Sequence, residues 1–229
     1  MAVITISRLY GSGGDAIAEA ICRLTGFRLF DKHILAKAAF EVGLSDHEAV
    51  DFCEDTYRMK NLYERLFGAE RTVAQVRIWK EDAEGIRRVE ERQLNEEEAI
   101  HCVQQAIKTA YRLGDYVIVG RGGQVLLKDY PDVLHVRVIA PLEDRILRVR
   151  NSPTMAGRTF SDSLDERRSA QRLIEQNDTA SADYLKRFYN VDWSDWFLYH
   201  LVINTAKMST DQAATCIIEA IRQVQPAIL

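Results

Sequence analysis

The chain has 229 residues, 47% hydrophobic and 28% charged, a globular composition that excludes a wholly disordered protein and is long enough to bury a core. With 30 Lys+Arg against 34 Asp+Glu, the formal net charge of −4 excludes nucleic-acid binding driven by overall charge, though not a local anion site. Of the cations 22 are Arg, whose planar fork matches phosphate oxygens, although drift toward Arg explains that bias better on its own.

Residues 2–7, AVITIS, form a short apolar, β-branched run that predicts a strand. The glycine-rich turn Gly11-Ser12-Gly13-Gly14 follows at once. A helical pattern with Ile17, Ala18, Ile21, Cys22 and Leu24 on one face then ends at Gly26, in a C′-like position. A second short strand over 27–30 ends at Asp31, and helix resumes over about 32–42. Residues 45–113 read as an insertion. Ser45 with Glu48 makes a capping box for a charged helix reaching about Phe67, and Asn95 with Glu98 makes another for a helix that should end at Gly114. Between them, residues 73–91 fit either a β-hairpin turning near Gly85 or a charged helix.

The alternation then returns. Residues 116–119, YVIV, predict a strand and lead into Gly120-Arg121-Gly122-Gly123. Residues 133–140 predict another, with Pro141 as the first residue of a helix reaching about Val149. A loop-like stretch over 151–162 precedes a long polar helix over 163–188, with Ser163 and Glu166 as its capping box. A last strand over 200–204 and a helix over 209–224 close the chain, with Trp193 and Trp196 as packing anchors before that strand. Five apolar strands separated by helices predict a parallel sheet covered on both faces, a three-layer α/β core.

Cys22, Cys53, Cys102 and Cys216 lack CxxC spacing, which argues against a zinc site; their apolar, helix-like contexts predict buried, reduced thiols. The five histidines show no metal-ligand spacing, and His135 and His200 read as core-edge residues. The opening residues are too short an apolar run for a signal peptide, and no run approaches the roughly 18 residues of a membrane span. These features predict a cytoplasmic protein with neither a membrane nor a nucleic acid as partner.

Three places carry candidate chemistry. The first is Ser7 to Gly14, between the first strand and the first helix, where glycines let backbone N–H groups curl around an anion at a helix N-terminus. The phosphate-binding pattern GxxxxGK[ST], aligned on Gly13, puts Arg8 at its first Gly, Gly14 at its Lys and Asp15 at its Ser/Thr. The literal motif therefore fails, and a tight turn without a ligand is an equal reading of the loop alone. The second is Asp31, at a strand's carboxyl end, either a ligand acceptor or the N-cap of the next helix. The third is Arg121 between glycines, facing the same crevice. An Arg-rich stretch (Arg145, Arg148, Arg150, Arg158, Arg167, Arg168, Arg172) suits a lid over a polyphosphate, although Asp165, Glu166, Glu175 and Asp178 offer ordinary ion-pair partners.

Taken together, TISRLYGSGG (5–14), FRLFDKHIL (27–35), YVIVGRGG (116–123), HVRVIAPLEDRILRVR (135–150) and VDWSDWFLYHLVINTAKMS (191–209) resemble the nucleoside monophosphate kinases, and more closely the cytidylate kinase-like family. The resemblance implies a single P-loop kinase-like domain over 1–229, with a helical acceptor-side insertion over 45–113 and an Arg-rich lid over 151–195. It implies ATP on the loop formed by Arg8, Gly11, Ser12, Gly13, Gly14 and Asp15, with Mg²⁺ bridging the donor phosphates. It also implies a nucleotide-type acceptor held by Asp31 and Arg121, and Arg121, Arg145 and Arg148 as the catalytic cations. The sequence departs from the pattern at Gly14, where a P-loop Lys would stand, at Asp15, an acid beside the cradle, and at Ser181, where the lid segment has an Arg. Asp15 occupies the position of the Mg²⁺-binding hydroxyl, and a carboxylate is a suitable ligand for that ion. The implied reaction is phosphoryl transfer from ATP to a cytidylate-like acceptor. The other readings are a catalytically weak nucleotide-binding sensor or scaffold, and a protein working through the insertion's surfaces as a homodimer.

Overall fold

A computed structural model describes residues 2–30, 74–81, 87–94, 96–156, 160 and 162–224. The chain divides into two compact units, one made of residues 1–29 and 115–229, the other of residues 30–114.

The first unit is built on a five-stranded parallel sheet of β1 (Val3–Arg8), β2 (Arg28–Leu29), β5 (Tyr116–Val119), β6 (Val133–Ile139) and β7 (Leu201–Asn204). Their order is β2-β5-β1-β6-β7, so β1 lies at the centre, paired with β5 through Ile6↔Val119 and with β6 through Ser7↔Arg137. All five predicted strands are present. Ile4, Ile6, Leu134, Val136 and Val138 share a core cluster with Ile17 and Ile21 of α1 (Gly14–Thr25) and Ile217 and Ile221 of the last helix, Thr210–Val224. Each such side chain contributes roughly 1.5–3 kcal/mol on burial. The intervening residues of β1, Thr5 and Ser7, are as deeply buried, so the sheet is covered on both faces.

Helix ends follow the sequence closely, with two one-residue corrections. Gly26 closes α1 at φ 77 with its N–H on the Cys22 carbonyl. Pro141 is the N-cap and not the first helical residue of its helix, Leu142–Arg150, because its ψ of 152° is still extended. In the long helix Ser163–Tyr189 the cap is Asp162 in place of Ser163: the Asp162 carboxylate accepts from the Asp165 N–H at 2.7 Å. At the last helix Ser209 and Gln212 cap each other reciprocally.

In the second unit the described residues form an antiparallel hairpin, β3 (Ala74–Glu81) with β4 (Arg87–Leu94), and a helix, Glu96–Leu113. Of the two readings of residues 73–91 the hairpin is present, so the segment over 45–113 is not helical throughout. Buried Ile100, Val103, Ile107 and Ala110 recur at helical spacing along Glu96–Leu113. The expected helices over 32–42 and from Ser45 to Phe67 lie outside the described residues.

We label the helices in order as α1, α2 (Glu96–Leu113), α3 (Gly123–Leu126), α4 (Leu142–Arg150), α5 (Ser163–Tyr189) and α6 (Thr210–Val224). Among the described residues no helix is long and apolar enough to cross a membrane. Cys102 is buried and Cys22 half-buried, but Cys216 is exposed on α6, against the expectation of buried thiols, because it lies off the face carrying Ala213, Ala214 and Ile217.

Candidate functional site

Open parallel sheets bind ligands beyond the carboxyl ends of their strands. Two glycine-bearing loops leave such ends side by side here. Residues 9–13 follow β1 and residues 120–122 follow β5, and the Gly120 N–H donates to the Ile6 carbonyl at 2.9 Å, tying the second loop to the first strand.

The loop after β1 is shaped by residues that grip it from outside. Gly11 (φ 77) and Gly13 (φ 87) take the left-handed conformation that an L side chain resists. Gly11 is also close-packed, since a Cβ there would come within 2.8 Å of Val149 Cγ2 on α4. Arg148 of α4 donates to the Ser12 carbonyl at 3.1 Å, and to the Thr205 hydroxyl and carbonyl at 2.8 and 2.9 Å. The Thr205 hydroxyl donates to the same Ser12 carbonyl at 2.7 Å. In a trans peptide the carbonyl and the next N–H point opposite ways, so holding the Ser12 carbonyl outward turns the Gly13 N–H inward. On α1 the Ile17 N–H is the first to bond within the helix, to the Gly13 carbonyl, which leaves the amides of Gly14, Asp15 and Ala16 without an intrahelical acceptor. A Cβ on Gly13 would meet only Arg148 Nη1, at 4.0 Å, so it is the left-handed backbone and not crowding that calls for glycine there. An inward Gly13 amide and the unbonded amides of a helix N-terminus fit an anion of phosphate type.

Arg145 and Arg148, expected as catalytic cations, both engage the loop's own carbonyls. Arg145 pairs with Asp178 at 2.5 Å, and Asp178 accepts the Tyr10 N–H at 2.8 Å with its other oxygen. Arg145 also reaches the Tyr10 carbonyl at 3.4 Å. The bridge spans α4, α5 and the loop. Of the remaining arginines, Arg150 pairs with Glu166 and Arg167 with Glu143, and Arg158 lies outside the described residues. Ser181 is buried in α5, so an Arg there would have to be accommodated in the packed interior.

Arg8, at the end of β1, lies with its Nε 3.4 Å from Asp15 Oδ1; its side chain is 15% exposed against 71% for Asp15. Among the described residues no group of three or more His, Cys, Asp or Glu could hold a metal ion. Mg²⁺ at phosphate sites ordinarily takes one or two carboxylates, with phosphate oxygens and water completing its shell. One accessible carboxylate at the first turn of α1 fits that requirement.

The second loop is conformationally unusual. Gly120, Arg121 and Gly122 are all left-handed, at φ 68, 60 and 72. Arg121, as a non-glycine residue, carries strain of about 1–2 kcal/mol there. Two tyrosines of α5 hold the turn: the hydroxyls of Tyr184 and Tyr189 donate to the Arg121 carbonyl at 3.4 and 3.3 Å. A Cβ on Gly122 would lie 2.4 Å from the Tyr189 ring. Asp31 lies outside the described residues.

A model of the cytidylate kinase-like family matches residues 3–207. The chain belongs to the cytidylate kinase-like family. A solved structure of an uncharacterized protein from Eubacterium ventriosum is 17% identical, covers 97% of this chain and 99% of its own, and superposes with a TM-score of 0.60, which shows a shared fold. A shikimate kinase from Acinetobacter baumannii, solved with shikimate, is 12% identical with a TM-score of 0.45, covering 98% of this chain and 95% of its own. No curated protein matches the chain. The P-loop kinase fold expected from the sequence is present, and membership of a kinase-like family supports phosphoryl transfer in general terms.

Within this family member several site-supporting contacts, and the residues Arg137, Tyr199 and Thr205 that make them, were not singled out in the sequence. Ser7 Oγ accepts from Arg137 at 3.1 Å and from Trp193 Nε1 at 2.9 Å, immediately before Arg8. Arg137 is buried, donates to the Tyr199 hydroxyl at 3.0 Å and lies 4.2 Å from the Trp193 ring centre. A charge in the middle of the apolar strand VLHVRVIA was the available signal, since a buried guanidinium must find partners. Trp193 is a packing anchor as expected; Trp196 is 56% exposed and is not. Thr205 and the two tyrosines left no sequence signal, because the loop atoms they hold, the Ser12 and Arg121 carbonyls, are backbone groups that any residue carries.

Proposed function

We propose that the protein transfers a phosphoryl group from ATP to a cytidylate-like nucleoside monophosphate or a related small phosphate acceptor. The observation that carries this reading is the glycine loop at the N-terminus of α1, its Ser12 carbonyl held by Arg148 and Thr205 and the first amides of the helix left without intrahelical acceptors. In this reading the amides of Gly11, Gly13, Gly14 and Asp15, with Ser12 shaping the turn and Arg8 beside it, take the donor's phosphates. Mg²⁺, when bound, neutralises charge shared between donor phosphate oxygens, with Asp15 as its protein ligand. Arg121 takes the acceptor's phosphate group. Arg145 and Arg148 contribute by fixing the loop, so that orientation and electrostatics lower the barrier without a covalent intermediate.

A second reading has specific support: a nucleotide-binding protein with little turnover. Asp15 is already close to Arg8, and a Ser stands at the buried lid position 181. Arginines on a transferring phosphoryl contribute roughly 10³-fold or more in rate, so a missing one is costly.

The test is thermal shift with CMP, dCMP and UMP, each with and without ATP and Mg²⁺, followed by ADP release. Stabilisation by ATP–Mg²⁺, with ADP release that requires one monophosphate, supports transfer. Stabilisation without release supports the second reading, and no stabilisation by any nucleotide removes both.

A further inference from the structure

The loop departs from the GxxxxGK pattern at two positions, and the structure brings those two into contact. Arg8 stands at the pattern's first glycine and Gly14 at its lysine. A Cβ on Gly14 would fall 2.7 Å from Arg8 Cβ, 3.0 Å from Cγ and 3.6 Å from Cδ. The Arg8 stem therefore lies directly across the bare Cα of Gly14. Its backbone conformation does not demand glycine, since φ at Gly14 is not left-handed. What excludes a side chain there is Arg8. Conversely, a lysine at position 14 could not share that space with the arginine.

We infer that the cation and the glycine of the phosphate-binding loop have exchanged places: Arg8, entering from the end of β1, does the work of the lysine that Gly14 replaces, and Gly14 is small to let the arginine pass. The inference rests on the donor-site reading above and names the residue that supplies its positive charge. The geometry supports it beyond the steric fit. Ser7, next to Arg8, is pinned by Arg137 and Trp193, and the Leu9 N–H is held by the Val138 carbonyl at 3.0 Å. Arg8 is thus anchored on both sides. Its guanidinium sits at the first turn of α1, 3.4 Å from the Asp15 carboxylate, where anionic phosphate oxygens would compete for it. An arginine in that role differs from a lysine in offering a planar fork for two oxygens.

The experiment measures binding of ATP–Mg²⁺ and of inorganic tripolyphosphate by calorimetry, with melting temperature as a control for folding. The variants are Arg8→Met, Arg8→Lys, Gly14→Lys and the double variant Arg8→Gly/Gly14→Lys, whose order of residues is a literal GxxxxGK. Arg8→Met keeps most of the stem and removes the charge, and it should weaken both ligands about ten- to a hundredfold, as loss of a charge-assisted hydrogen bond does. Arg8→Lys should lose less. Gly14→Lys alone should lower the melting temperature and weaken binding, and the double variant should recover binding to within a few fold of the parent. If the parent binds both ligands and Arg8→Met binds them equally well, the exchange is wrong while the donor site stands. Should Gly14→Lys alone fold and bind like the parent, the steric half is wrong. A parent that binds neither ligand removes the donor-site reading and the exchange together.

Discussion

His135 shows how a single buried side chain links the sheet to pH. It is 3% exposed, its Nδ1 lies 2.7 Å from the Thr5 hydroxyl, and its ring stacks on His200 at 5.1 Å. Because the His135 main-chain N–H donates to His200 Nδ1 at 2.9 Å, that nitrogen of His200 carries no proton. Burial, and the charge His200 would carry, lower the His135 pKa from 6.5 to about 4. The folded state thus favours neutral His135, so its contribution to stability is complete above about 6.5 and is lost as pH falls toward 4. Melting temperatures of the parent and of His135→Asn across that range test this: the parent should lose stability more steeply, and parallel curves would contradict it. The sequence places His135 at the core edge, but its partners depend on strand register, which a single strand's composition does not encode. The exchange between Arg8 and Gly14 was half legible in the same way. The mismatch with the motif is visible in the sequence, while the contact that explains it is not.

At the scale of elements, α4 and α5 brace the two loops from outside, through Arg148 and Arg145 on one and Tyr184 and Tyr189 on the other. Arg121 is held in a conformation that glycine would adopt without strain, which predicts a trade between stability and binding. Arg121→Gly should melt at or above the parent temperature while nucleoside monophosphate binding weakens at least tenfold. Arg121→Ala should be less stable than Arg121→Gly by about 1 kcal/mol, the steric cost of the left-handed region. Equal melting temperatures for the two variants would remove strain from the account, and unchanged monophosphate binding would remove Arg121 from the acceptor site. Gly122→Ala should be destabilised by about 1 kcal/mol or more, from its φ of 72 and the approach to Tyr189; a variant as stable as the parent would show that the α5 contact does not hold this turn. The strands and helices themselves were legible because periodicity and capping are local. Pro141 and Asp162 show the limit, where the cap shifts by one residue according to which backbone stays extended.

For the molecule as a whole, the parallel sheet follows from apolar runs alternating with helices, whereas its strand order β2-β5-β1-β6-β7 is seen only in the structure, and the family follows from motifs spread over residues 3–207. The charge of the site was less legible. Most arginines of the Arg-rich stretch are held by carboxylates or by the loop's own carbonyls, so their abundance alone says little about a ligand. What remains specific is the glycine loop at the start of α1 with Arg8 beside it, and on the proposed reading donor binding would depend on the loop's amides. Backbone amide resonances report it directly, by ¹H–¹⁵N NMR during titration with ATP–Mg²⁺. The account predicts that the largest saturable shifts fall on Gly11, Gly13, Gly14 and Asp15, and that inorganic tripolyphosphate reproduces them. Saturable shifts confined to other segments, with those four amides unmoved, would contradict it.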